Sequence, residues 1–84
     1  MPENVTLYAL STCGWCKKTK RFLNSHQIEY VCHEVDTLDG EEKDRVREAV
    51  AKANPRKSYP TLVVTGRGVV VGYDEDKFCE VLGL

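Results

Sequence analysis

Cys13 and Cys16 stand three residues apart in the stretch Thr12-Cys13-Gly14-Trp15-Cys16-Lys17-Lys18. Two thiols at this spacing can hold a metal or cycle between dithiol and disulfide. Their surroundings favour the second. Residues 5–10 form an apolar run rich in β-branched and aromatic types. From Cys13 onward the pattern turns helical, with Cys16, Thr19, Phe22 and Leu23 on one face. The pair therefore sits at a strand-to-helix turn, with Cys13 at the helix N-terminus. There the unpaired N–H groups and the helix dipole favour an anionic sulfur, and Lys17 and Lys57 add positive charge. The thiolate is the form that attacks a disulfide, and an ordinary cysteine is only a few per cent ionised at neutral pH. Cys16, one helical turn further in and deeper, is placed to attack the mixed disulfide that Cys13 makes and to release the product.

The elements that must hold these sulfurs follow from the rest of the chain. A first strand covers 5–10, and Ser11 and Thr12 after it are good N-cap types. The helix ends at Asn24-Ser25-His26-Gln27. A second strand covers 28–35. Asp39 and Glu42 then have the spacing of a capping box for a polar helix with a weak stripe of Val46, Ala49, Val50 and Ala53. Asn54-Pro55 stops that helix. A third strand runs over 59–64, Gly66-Arg67-Gly68 turns the chain, and a fourth strand covers 69–71. Asp74 is a plausible cap for a closing helix, with Gly83 at its end. The order is β-α-β-α-β-β-α, an α/β domain spanning 1–84. Strand–helix–strand crossovers give parallel neighbours and the hairpin gives an antiparallel edge, hence a four-stranded mixed sheet with helices on its faces. The first helix begins at the C-terminal end of the first strand, where α/β sheets carry their sites.

Bulk properties remove other classes. The 84 residues carry a formal net charge of −1, which offers no footprint for nucleic acid or an anionic membrane. No apolar run is long enough to span a bilayer. Residues 1–4 lack a basic segment leading into an apolar one, so a cytoplasmic protein is expected. Four cysteines suit a secreted disulfide scaffold poorly when regular patterns cover the chain. A zinc set of Cys13, Cys16, Cys32 and His33 fails on geometry, because adjacent strand residues point to opposite faces. Cys32 reads as a buried strand residue and Cys79 as a residue of the last helix. His26 and His33 read as surface residues.

Tyr8 through Cys16, Lys57-Ser58-Tyr59-Pro60-Thr61 and Gly72-Tyr73-Asp74 together make the chain resemble the glutaredoxins over essentially its whole length. It is similar in particular to the small glutaredoxin-like thiol carriers that feed electrons to ribonucleotide reductase. The resemblance implies the minimal thioredoxin fold and a small thiol–disulfide oxidoreductase acting through Cys13 and Cys16. It implies a cis Pro60 packed against the two cysteines, with the Tyr59 backbone pairing with a bound peptide or glutathione like an added strand. Lys57 and Asp74 become candidates for the glutathione carboxylate and amine, although Asp74 serves equally as a helix cap. Gly72-Tyr73 is similar to the Gly-Phe of the reductase donors. Gly14-Trp15 replaces the Pro-Tyr common in the family, Leu10 replaces a frequent lysine, and Val71 replaces the first of a frequent glycine pair. Trp15 is expected to be exposed as a contact residue. The implied partners are a disulfide-bearing protein and an upstream reductant, either glutathione as co-substrate or a flavoenzyme or ferredoxin-linked reductase. No tightly bound cofactor is expected, and the protein is expected to be a monomer. Two alternatives remain: a glutathione-dependent iron–sulfur carrier, since the motif lacks its proline, and a non-enzymatic docking module of the same fold.

Overall fold

The computed structural model describes residues 5–56 and 58–84. The chain runs through β1 (Val5–Ala9), α1 (Gly14–Ser25), β2 (Val31–Glu34), a 3₁₀ turn (Val35–Thr37), α2 (Gly40–Ala53), β3 (Thr61–Val64), β4 (Gly68–Val71) and α3 (Glu75–Leu82). The four strands form one mixed sheet in the order β2-β1-β3-β4. The expected element order and sheet are present.

Alternation in β1 divides the protein into two layers. Val5, Leu7 and Ala9 are buried, while Thr6 and Tyr8 point the other way and are half-buried. The first face meets Cys16, Phe22 and Leu23 of α1 and Phe78 of α3, joined by Leu62, Val64 and Val70 from the neighbouring strands. The second face meets Val46 and Val50 of α2 through Val35, with Tyr8, Leu10, Leu38 and Tyr59 around them. The buried face of α1 is Cys16, Thr19, Phe22 and Leu23, the stripe legible in its sequence. Thr19 is fully buried without an orphaned hydroxyl, because its Oγ1 donates to the Trp15 carbonyl at 2.9 Å.

Several expectations need correction. The crossover through α1 gives parallel β1 and β2, with Leu7 opposite Cys32. The crossover through α2 does not give a parallel neighbour: β3 is antiparallel to β1, with Thr61 opposite Tyr8. The segment 35–60 thus brings the chain back to the end of the sheet it had left, and β3 starts beside the end of β1. The second strand begins at Val31 rather than at 28, because the Ile28 N–H is spent on the Leu23 carbonyl in closing α1. The third strand begins at Thr61 rather than at 59, since the Tyr59–Pro60 bond is cis and turns the chain before the ladder starts. Asp39 is the N-cap of α2, but its side chain makes no capping hydrogen bond, so the capping box is not formed. The cap of α1 is neither Ser11 nor Thr12 but Cys13 itself.

Phe78 is the centre of the larger core. It is fully buried, 5.3 Å from the Phe22 ring and edge-on to Tyr73 at 5.5 Å. It ties α3 to α1 and to the sheet. Phe78→Ala should cost about 3–5 kcal/mol of stability, read as a lower urea midpoint.

Candidate thiol site

The loop after β1 presents Cys13 with backbone dihedrals of −82° and 117°, extended rather than helical. Its N–H donates to the Leu10 carbonyl at 3.1 Å, and its sulfur accepts the Cys16 N–H at 3.1 Å. Sulfur here occupies the place of the oxygen in an ordinary helix cap, and an anionic sulfur would accept that bond more strongly. Cys13 is half-buried, whereas Cys16 is fully buried. Both are free thiols. The Cys16 thiol is pushed up to about 12, first by burial and then by its hydrogen bond with the Cys13 side chain. Cys16 thus holds its proton across the physiological range, while Cys13 has access to solvent.

A second clamp fixes the same loop. Ser11 donates its N–H to Asp36 Oδ1 at 2.9 Å and its hydroxyl to Oδ2 at 2.5 Å. These two bonds hold the Asp36 carboxyl below the usual carboxylate range. They tie the loop that carries Cys13 to the turn after β2. Asp36 was not singled out in the sequence, because only the β1–β2 pairing brings positions 11 and 36 together.

A wall at the same end of the sheet is the cis Tyr59–Pro60 segment, which leads into β3 beside the end of β1, with Pro60 fully buried. Its carbonyl accepts the Gly72 N–H at 2.8 Å, and Gly72 has φ of 83°, a conformation that strongly favours glycine. Tyr59 is half-buried and packs against both cores. Burial raises its phenol, which Arg47 opposes and the Cys16 sulfur reinforces. Behind the wall, buried Asn54 makes a network that sequence reading missed. Its Nδ2 donates to the Ser58 carbonyl and Oγ at 3.1 Å each and to Thr61 Oγ1 at 3.2 Å. Its Oδ1 accepts the Arg56 N–H at 3.1 Å, and Thr61 Oγ1 donates to the Ser58 carbonyl at 2.7 Å. In the sequence Asn54-Pro55 reads simply as a helix stop. That its side chain is buried and bonds the turn up to seven residues on depends on how the chain folds back at cis Pro60, which residue type alone does not mark.

The aromatic side of the site is built by Trp15 and Tyr73. Trp15 is 58% exposed and lies against Tyr73 with centroids 5.5 Å apart. Lys18 Nζ lies 5.0 Å from the Trp15 ring and 5.7 Å from the Tyr73 ring, within cation–π range. The Tyr73 hydroxyl donates to Glu75, which raises the phenol. Asp74 caps α3, its Oδ1 accepting the Lys77 N–H at 3.2 Å, so its carboxylate has a structural task in this state. Lys57 lies outside the described residues. Cys13, Tyr59 and Tyr73 all pack against the core that contains Cys16, and Trp15 and Gly72 adjoin them in the chain or by hydrogen bond. Cys32 and Cys79 pack on the edges of that core. His33 stacks on Tyr8 at 5.6 Å and His26 lies against Phe22 at 4.5 Å. Among the described residues there is no cluster of three or more metal-ligating side chains, and no helix is long and apolar enough to cross a membrane.

A thioredoxin-like sheet with adjacent cysteines at the start of its first helix supports thiol–disulfide oxidoreductase-type chemistry. The family model for glutaredoxin matches residues 5–69, and the chain belongs to the glutaredoxin family. The structure is similar to methanoredoxin of Methanosarcina acetivorans, with a TM-score of 0.91 and 36% identity over 99% of this chain and 87% of that one. It is also similar to glutaredoxin-1 of Archaeoglobus fulgidus, with a TM-score of 0.85 and 38% identity over 96% of this chain and 86% of that one. By sequence it is 30% identical to a glutaredoxin-like 8.6 kDa protein in the rubredoxin operon of Clostridium pasteurianum, over 90% of this chain and 97% of that protein.

Two outcomes follow from this geometry. With Cys16 near 12, roughly one molecule in ten thousand has that thiolate at pH 8. Iodoacetamide should therefore label Cys13 ahead of Cys16, which is also fully buried, as peptide mass mapping can follow. Asn54→Ala should cost about 1–3 kcal/mol by urea denaturation, since it leaves the turn into Pro60 without its buried donors.

Proposed function

We propose that this protein reduces disulfides of other molecules, protein disulfides or mixed disulfides with glutathione, through a Cys13/Cys16 dithiol. The observation that carries the reading is the 3.1 Å hydrogen bond from the Cys16 N–H to the Cys13 sulfur, made where Cys16 itself is buried and protonated. It supports different tasks for the two thiols.

The Cys13 thiolate attacks one sulfur of the target disulfide. A new bond forms between Cys13 and that sulfur, the target bond breaks, and the other sulfur leaves as a thiolate that takes a proton. Cys16 loses its proton as it attacks the Cys13 sulfur, and the second target sulfur leaves as a thiol. Two electrons have passed to the target, and Cys13 and Cys16 end as a disulfide. An upstream reductant of the thiol or flavoenzyme class restores the dithiol. The elevated Cys16 thiol, raised first by burial, makes the second step a proton transfer as well as an exchange. The half-buried Tyr59 before cis Pro60 and the exposed Trp15 against Tyr73 are the groups on which a substrate would rest.

The test is a trap. With a peptide disulfide as substrate, Cys16→Ser should accumulate a stable covalent adduct on Cys13, visible as a mass increase that dithiothreitol removes. Cys13→Ser should accumulate none. An adduct on Cys16, or none in either variant, overturns the assignment.

A further inference from the structure

We propose that the groove between α1 and α3 seats an acidic, extended peptide segment, the part of a protein substrate that flanks its reacting cysteine. The proposal rests on the exchange reading of Cys13 and names the substrate class. The groove holds about 420 Å³ and is lined by Lys18, Arg21 and His26 from α1, by Phe22 beneath them, and by Tyr73 and Glu75 opposite. It starts behind Trp15, through the Lys18 contact, and follows α1 away from Cys13. Its occupant is therefore the portion of a substrate beyond the sulfur under attack.

Charge decides the chemistry of that occupant. Within Gly14–Ser25 the charged residues are Lys17, Lys18, Lys20 and Arg21, with no acidic residue among them. Lys20 is paired with Glu34 at 3.6 Å. Lys17 and Arg21 are exposed and form no ion pair among the described residues. The whole chain has a net charge of −1, so this basic face is a local asymmetry. Glu75, the acid on the opposite rim, already accepts the Tyr73 hydroxyl. A uniform polyanion such as nucleic acid would meet that carboxylate and the neighbouring Asp74 and Asp76 of α3. A peptide can place its carboxylates on the Lys18–Arg21 side and an apolar side chain on Phe22 and Tyr73. From Lys18 to His26 the helix rises about 12 Å, the length of three or four extended residues.

The experiment uses two decapeptides, each with one cysteine held as a mixed disulfide with a chromophoric aryl thiol. One has Asp and Glu flanking the cysteine, the other Asn and Gln. The native protein should reduce the acidic peptide with kcat/KM about fivefold higher at low salt, an advantage that shrinks in high salt. Arg21→Glu should abolish the preference, the two peptides then being reduced at comparable rates. Titration of the acidic peptide with serine in place of cysteine should shift the amide resonances of Lys18, Arg21 and Tyr73. Equal reduction of both peptides, or a preference that survives Arg21→Glu, overturns the docking site and leaves the exchange reading standing. Amide shifts without reduction of either peptide support the docking site and overturn the exchange reading.

Discussion

One sulfur must be kept dry while another, three residues earlier, must be reachable from solvent. The first turn of α1 meets both demands. Cys13 is the cap and Cys16 the third helical residue, so the cap's sulfur bonds the N–H of the residue whose own sulfur is buried. Because Cys16 lies on the same stripe as Thr19, Phe22 and Leu23, it goes into the core with them. Cys13, outside the helix, keeps extended dihedrals and stays at the surface of that core. The difference between the two thiols is thus a consequence of where the helix starts. Moving the cap by one residue would rotate Cys16 by about 100° off the buried face.

Everything around that turn keeps it in register with a wall supplied from elsewhere. The Ser11–Asp36 bonds hold the approach to Cys13 against the end of β2. The Asn54 network and the Gly72 N–H hold the Tyr59–Pro60 segment from two sides. The antiparallel return of β3 is what makes this assembly feasible. If α2 had delivered β3 parallel to β1, Pro60 would enter the sheet at the far end, a strand length of about 15 Å away from the cysteines. The topology that departs from the simple crossover expectation is therefore the one that completes the site.

Local signals were legible and remote ones were not. The buried stripe of α1, the alternation of β1, the Asp74 cap and the left-handed Gly83 end are all written in short windows of sequence, where side-chain type and spacing fix the outcome. Membership of the family was legible from the Cys13–Cys16 pair and the Pro60 segment together. The strand ends were misplaced where a backbone group was claimed by something outside the strand, as when Ile28 closes α1. The Asp39 capping box failed although its residue types were right, because Gly40 enters the helix with φ of 60° and the backbone there does not present the side chain to the first turn. Asp36 and Asn54 were missed for a different reason. Asp36 is an ordinary polar residue whose partner, Ser11, lies 25 positions earlier across the β1–β2 connection. The partners of Asn54 lie within seven residues, but they converge on its side chain only through the turn into cis Pro60, which spacing alone does not mark.

The two residues between the cysteines complete the account of the approach to Cys13. A Cβ added at Gly14 would meet nothing within 4 Å, and Gly14 does not have a positive φ. The backbone thus has room for a side chain there, and as the first helical position it suits proline. Glycine at this place is not required by strain or by crowding. What it does is leave the surface beside Cys13 in the chain without a side chain. Trp15, next in the chain, stands exposed, steadied by Tyr73 and by Lys18 over both rings. Tyr73 in turn rests edge-on against Phe78, the residue that anchors α3 to the core. The exposed Trp15–Tyr73 pair is therefore braced by the core. The two residues between the cysteines thus differ in kind: Gly14 adds no side chain to the surface, and Trp15 adds one that the core supports through Tyr73 and Phe78.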